Sequence, residues 1–396
     1  MQFKDISKVC NNKNFKVVVS EPFNELCIDF IQDLSNFIRN QKKSYKYQDL
    51  MYLSLWCSRK KILDLKKNYN SKQIRIGRGL IFHITPTNVP TNFFYSFIFS
   101  LLSGNSNIVK LPPRNFEEKK IILDSIYHLF EKKKYQIIKN SNSFIDYNSS
   151  NSEMTKKISS ICDGRIIWGG DSTINEVKKY WIPERSIELT FPDRYSMSII
   201  NTNYLEKKSK NDLEKLAKNF FYDGYSMNQG ACNSPHFIFW IGKRNQKLEN
   251  LFWDNIAKIV EKKFTFSNMV AVKKYSNLIG NIVENKKFKK IKEYKNYLYV
   301  FETDNKNKKI DNLRGFGGTF FHRNLQNIKE LKCYVSKRCQ TLGYYGFEKK
   351  NLENFLKNNN LFGIDRVVPI GHAMDINVIW DGYDVIKTLS RVIEVK

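Results

Sequence analysis

Three short apolar runs, each delivered into a polar turn and followed by a helix-forming stretch, constrain this chain more than any other feature. GRGLIFHITPTNVP (77–90) carries the strand-like LIFHI into a Pro/Asn/Thr turn, and a strongly apolar helix follows. That helix is predicted to stop at Gly104–Asn105, a C-terminal signal. NIVKL (107–111) is a second strand, closed by Pro112–Pro113. A helix with a basic tail covers 115–134, and NSNSFIDYNSSNSE reads as a polar stretch. RIIW (165–168) is the third strand and runs into Gly169-Gly170-Asp171-Ser172 and another helix. Strand, turn, helix, strand is the rhythm of a doubly wound α/β domain with a mostly parallel sheet. Ligands of such sheets bind outside the carboxyl ends of the strands, where TPTNVP and the Gly-Gly turn both fall. Helix N-termini there can receive phosphate. Taken alone neither segment is specific: a Gly-Gly turn before a helix is most often only a turn, and no GxGxxG fingerprint is present. Residues 1–70 read as helical from the apolar spacing of FNELCIDFIQDLSNFI and YQDLMYLSLWCSRKKILDL.

A chain of 396 residues has room for two or three domains, and 41% hydrophobic with 14% aromatic residues excludes a disordered one. The longest apolar run, FFYSFIFSLL at 93–102, falls short of the roughly 20 residues that span a bilayer. The start, MQFKDISKVCNNK, has no apolar core of a secretory signal. Seven scattered cysteines, an odd number, predict reduced thiols and a cytoplasmic protein. No CxxC or CxxH pair occurs, so no metal site is expected. The net charge of +27 would draw in any polyanion. Yet the lysines are spread along the whole chain, and the wealth of Asn, Ile and Tyr points to a codon bias. No nucleic-acid partner is expected; a positive surface does favour phosphorylated cofactors and thioesters of coenzyme A.

NQGACNSPH (228–236) sets one thiol, Cys232, among small residues ahead of a proline. A lone cysteine is usually core; a loop cysteine beside backbone N–H groups is a nucleophile in waiting. Read together and in order, TPTNVP, SIELTFP (186–192) and NQGACNSPH resemble the aldehyde dehydrogenase superfamily. Within it the chain most resembles the fatty acyl-CoA reductases of the LuxC type. GNSNIVKLP, IIWGGD, RCQTLGYYG and GIDRVVPIGHAMDINVIWDGYDVIKTLSR extend the resemblance over roughly 76–396, the last two being most specific to that branch.

The resemblance implies roles residue by residue. Cys232 matches the catalytic thiol, and Asn88 the side-chain amide that donates to the developing oxyanion. Glu188 matches the glutamate that activates water in hydrolytic relatives; in a reductase it must be kept from the thioester or move a proton instead. Lys110 matches the lysine on the cofactor ribose, Gly169 and Gly170 the pyrophosphate turn, and Thr85 with Pro86 the cofactor-side turn. Where NAD-preferring relatives carry an acid, this chain has Arg114, so NADPH is the expected cofactor. Asp171 stands where relatives have a small hydroxyl residue, awkwardly for a phosphate. No acid matches the relatives' nicotinamide-ribose glutamate; Cys339 and Gln340 stand in that segment instead. His236 and His372 read as structural.

The implied fold is aldehyde dehydrogenase-like α/β: a Rossmann-type nucleotide-binding domain plus an α/β catalytic domain, with a helical N-terminal segment. The expected boundaries are a helical segment at 1–75, an NADP-binding domain at 76–205, a catalytic domain at 206–375 and a tail at 376–396. That tail, ending SRVIEVK, reads as an edge strand of the kind that pairs across a subunit interface in relatives, giving a dimer or tetramer. The implied activity is NADPH-dependent reduction of an acyl thioester to an aldehyde through a Cys-bound acyl group. Acyl-CoA is the implied donor, with an acyl-adenylate or an acyl-protein synthetase partner left open. An aldehyde dehydrogenase running toward the acid and an inactive scaffold that binds an acyl-activating partner stand as alternatives.

Overall fold

The computed structural model describes residues 9–10, 12–69, 73–86, 89–148, 150–264, 267–284, 288–304 and 309–396. The chain divides into two compact units, Met1–Asp193 with Ile376–Lys396, and Arg194–Asp375. The divide falls ahead of the expected 205/206 boundary because the strand Tyr195–Asn201 pairs inside the second sheet.

In the first unit the strands are β1 (Ile74–Gly77), β2 (Leu80–Ile84), β3 (Ser106–Lys110), β4 (Asn142–Ile145), β5 (Gly164–Trp168) and β6 (Ile187–Phe191). The last five form a parallel sheet in the order β4-β3-β2-β5-β6. β2, β3 and β5 are buried at every position, as strands with helices on both faces must be. The polar stretch after residue 139 conceals β4, whose edge position tolerates Asn and Ser where a central strand would not. The chain steps from β2 out to β4, then returns to lay β5 and β6 on the other side. Ile84 is in register with both Lys110 and Ile167, so the carboxyl ends of β2, β3 and β5 lie level at this switch of direction.

The helix Asn92–Leu102 stops where its sequence predicts. Gly104 has φ +86°, and a Cβ there would sit 2.0 Å from the Ser20 carbonyl oxygen, so only glycine lets the two backbones meet. Ahead of β1, helices Glu25–Asn40, Gln48–Trp56 and Arg59–Tyr69 bear out the helical reading; the first buries Ile28, Phe30, Ile31, Leu34 and Ile38.

The chain's last strand, Ser390–Ile393, pairs antiparallel with β1. Within the chain, the tail strand is thus anchored along one edge. Side-chain donors fix it there: Arg78 Nε donates to the Thr388 carbonyl at 2.7 Å and Asn105 Nδ2 to the Leu389 carbonyl at 2.9 Å.

The second unit holds β7 (Tyr195–Asn201), β8 (Pro235–Ile241), β9 (Phe288–Tyr294), β10 (Leu298–Thr303), β11 (Thr319–Leu325), β12 (Cys339–Tyr345) and β13 (Arg366–Pro369). They make one seven-stranded sheet, β13-β12-β7-β8-β11-β10-β9, parallel except for β9. The two-residue period splits β8 between two cores: Phe237, Phe239 and Ile241 enter one, Ile238 and Trp240 the other. Helices Lys210–Tyr225 and Gln246–Lys263 supply Leu213, Leu216, Phe220, Phe252, Trp253 and Ile256 to the second of these cores. Among the described residues no helix is long and apolar enough to cross a membrane.

Candidate functional site

The thiol loop starts from backbone strain. After the helix Lys210–Tyr225, Met227, Asn228 and Gln229 all take left-handed φ values of +52°, +55° and +63°. A non-glycine residue pays about 1–2 kcal/mol for that conformation. Gln229 holds the loop in it. Its buried amide donates to the Pro235 and Thr319 carbonyls at 3.1 and 2.9 Å, and its Oε1 accepts from the Gly318 and Thr319 N–H groups. Strain held by surrounding bonds is a mark of functional loops.

Cys232 follows, half-buried, at the amino end of β8. Ser196 Oγ donates to its carbonyl at 2.7 Å and accepts the Thr341 N–H at 3.2 Å, so β7 and β12 fix the backbone that carries the sulfur. Gln340, fully buried on β12, aims Nε2 at the Cys232 sulfur at 3.3 Å. An N–H directed at sulfur favours the thiolate, the nucleophilic form. Cys10, Cys27, Cys57, Cys162 and Cys339 are buried instead, and burial pushes the thiols of Cys10, Cys27 and Cys162 up to about 12. Cys339, next along β12, turns its sulfur to the Ser336 N–H at 3.4 Å. Of the pair standing in that segment, Gln340 reaches the thiol. Gln340→Leu is expected to slow alkylation of Cys232 by iodoacetamide at neutral pH about tenfold, since a hydrogen bond to a charged group contributes about 1.5 kcal/mol. A rate within a factor of two of wild type would show that the amide does nothing for the sulfur.

His236 is buried, with Nδ1 accepting the Gly315 N–H at 3.1 Å; burial, helped by Arg314, pushes it down to about 3, and it stays neutral. His372 is exposed and pairs with Asp375 at 2.8 Å.

In the first unit, the level strand ends gather the residues expected to hold a cofactor. Lys110 closes β3 with its side chain over the Tyr147 ring at 4.6 Å, and burial lowers its amine against the pull of Asp146. Thr85 donates its hydroxyl to the Lys110 carbonyl at 2.7 Å, tying the end of β2 to the end of β3, and Pro86 continues that turn. Gly169 and Gly170 follow β5 and open the helix Asp171–Lys178. A Cβ on Gly169 would press on Thr173 at 3.1 Å, whereas one on Gly170 would meet nothing within 4 Å. That is free space for a group to approach the backbone. Arg114 is exposed beside Phe116. A buried amine at the end of β3, an exposed guanidinium four residues further on and an open glycine turn after β5 are groups of the kind that hold a phosphate-bearing dinucleotide. The Asp171 carboxylate works against one such contact.

Asn88 lies outside the described residues. Glu188 stands opposite Arg165 across the β5–β6 pairing, three places ahead of the carboxyl end of β6 at Phe191. Arg165, buried, donates Nε to Glu188 Oε2 at 2.7 Å and Nη2 to the same oxygen, while its Nη1 reaches Ser159 and the Tyr180 carbonyl. Nothing in SIELTFP signals this partner; Arg165 sits inside a strand that reads as plain RIIW. Ser196 and Gln229 went unsignalled too, since their roles exist only once distant strands are side by side.

Two α/β units, one with a glycine turn at its switch point and one presenting a half-buried thiol, make up an aldehyde dehydrogenase-like fold. An oxidoreductase from Marinobacter aquaeolei superposes with a TM-score of 0.65 at 10% identity, over 94% of this chain and 83% of that one. The PutA protein from Anabaena variabilis gives 0.58 at 12% identity, over 89% and 80%. Proline utilization A from Bradyrhizobium japonicum gives 0.63 at 11% identity, and this chain spans only 39% of its length. No curated protein matches the chain in sequence. The family model of the acyl-CoA reductases (LuxC) matches residues 32–392, and the chain belongs to that family.

Proposed function

We propose that this protein reduces an acyl thioester of coenzyme A to an aldehyde, using NADPH and passing through an acyl group bound to Cys232. The observation that supports it best is the half-buried Cys232 sulfur with the Gln340 amide on it, on a loop kept in a strained conformation. The Cys232 thiolate bonds to the acyl carbon, and the negative charge moves to the carbonyl oxygen. Asn88 and the Cys232 N–H are the proposed donors to that oxyanion. The carbon–sulfur bond to coenzyme A breaks, and the leaving thiolate, with a pKa of about 8.5, needs little acid assistance. Cys232 then holds the acyl group as a thioester. NADPH, when bound, supplies the hydride that reduces this group. Cys232 leaves from the resulting thiohemiacetal as the carbonyl reforms, which frees the aldehyde and regenerates the thiolate.

The family's membership in oxidoreductases supports a nicotinamide cofactor. Lys110, Gly169, Gly170, Thr85, Pro86 and Arg114 are the residues proposed to hold it, and Arg114 those proposed to prefer a 2′-phosphate. Arg114→Ala is expected to raise the KM for NADPH about tenfold while leaving that for NADH unchanged, as loss of one charge-assisted contact implies. Equal effects on both cofactors would remove Arg114 from the specificity. The Arg165–Glu188 pair supports reduction over oxidation to the acid. A carboxylate already accepting two guanidinium bonds is a poor base for water. The direct test is mass spectrometry of the protein after acyl-CoA is added without NADPH. One acyl group on the peptide containing Cys232, discharged as aldehyde when NADPH follows, is expected. Release as the free acid, or no adduct across a panel of chain lengths, would refute the reading.

A further inference from the structure

The GIDRVVPIGHAMD segment is not absorbed by this chemistry, yet its turn reaches the nucleophile loop. Asp223, on the helix Lys210–Tyr225, is 1% exposed. Its Oδ2 accepts the Gly371 N–H at 2.6 Å and its Oδ1 the Ala373 N–H at 3.0 Å. The Ala373 carbonyl accepts Nδ2 of Asn233 at 2.6 Å and Nη1 of Arg366 at 3.0 Å, and Arg366 Nη2 reaches the Asp375 carbonyl. Asn233 is buried and follows Cys232 directly. Ala373 is thus held by Asp223 through its N–H, and its carbonyl, in the next peptide unit, holds Asn233.

We propose that Asp223 is a positioning residue for Cys232, acting through the Gly371–Ala373 turn and Asn233. The proposal rests on the reading of Cys232 as nucleophile. Three features carry it beyond ordinary packing. Burial pushes the Asp223 carboxyl up to about 7 against the pull of its two amide donors, so the fold keeps an ionisable group where an apolar side chain would sit at lower cost. Gly371 has φ +103°, and a Cβ there would meet Asn219 at 2.8 Å, so the turn is pressed against the helix that carries Asp223. The chain of contacts ends on the residue next to the sulfur, where small displacements are costly because attack needs the reacting atoms near 3–3.5 Å.

The test follows acylation of Cys232 by a labelled acyl-CoA with NADPH withheld, in wild type, Asp223→Asn, Asn233→Ala and the double variant. Each single change is expected to lower the maximal acylation rate about 10- to 100-fold while the half-saturating donor concentration moves less than about threefold. The double variant is expected to lose no more than the slower single, because both cut one chain of contacts. An unchanged rate in Asp223→Asn, or losses that multiply in the double variant, would overturn the inference. Should Asp223→Asn not fold, Gly371→Ala displaces the same turn and leaves the carboxylate in place; it must show the same slow acylation, and a wild-type rate overturns the inference. Cys232→Ala separates the two levels. Labelling that persists there sinks the nucleophile itself, whereas labelling lost there with multiplying losses in the double variant sinks only the positioning role.

Discussion

Cys232→Ala is expected to abolish acyl labelling and to cut aldehyde formation at least about 10⁴-fold, the scale on which removal of a covalent nucleophile acts. The loss is expected in kcat, because the missing sulfur bonds to the acyl group only as the reaction proceeds. Thermal stability should change little: the site is half-buried, and the loop's conformation is held by Gln229 and Ser196 rather than by the thiol. Cys333, the exposed cysteine, provides the control. Cys333→Ala should label as wild type does. Stopped-flow release of coenzyme A, together with the mass of the labelled peptide, measures both variants. Aldehyde production by Cys232→Ala at a rate near wild type would mean that the acyl carbon never bonds to this sulfur.

Arg165→Met is expected to destabilise the first unit by about 3–5 kcal/mol, since it leaves the mostly buried Glu188 carboxylate without its guanidinium. The side chains are 2% and 19% exposed, so water replaces little of the lost interaction. Arg165 also serves Ser159 and the Tyr180 carbonyl, which lose a donor in the same change. Adding Glu188→Gln to Arg165→Met should recover most of the loss, because an uncharged amide costs far less in that setting than a carboxylate left only the Lys178 amine at 4.0 Å. Denaturant unfolding of the three variants measures this. If Arg165→Met unfolds at the wild-type midpoint, the ion pair is not what fixes Glu188. Glu188→Gln by itself reports on chemistry. A reductase that does not use this carboxylate as a base should keep its acylation rate.

These two residues show how differently the sequence speaks. Cys232 is legible through resemblance: small neighbours and a following proline show only a cysteine in a loop, and the ordered set TPTNVP, SIELTFP and NQGACNSPH is what marks it as a candidate nucleophile. Glu188 is legible as a glutamate in a strand, but its state is not, because the arginine that takes it up lies 23 positions earlier on a neighbouring strand. Gln340 sits between, placed in the right segment by resemblance while its contact with the sulfur awaited the pairing of β12 with β7. The edge strand β4 was hidden by Asn and Ser, since an edge position buries one side less and asks for fewer apolar residues.

By itself the sequence determined the alternation of strand and helix and the glycine that ends the helix at Leu102. Each depends on hydrophobic period or backbone freedom over a few residues, which are properties of the local chain. The tertiary structure decided which groups meet: Gln340 on Cys232, Arg165 on Glu188, Asp223 through Ala373 to Asn233, and the tail on β1. Hydrogen bonds and ion pairs of these side chains reach only a few ångströms but join residues from 23 to 150 positions apart, and that distance closes only when the sheets have formed.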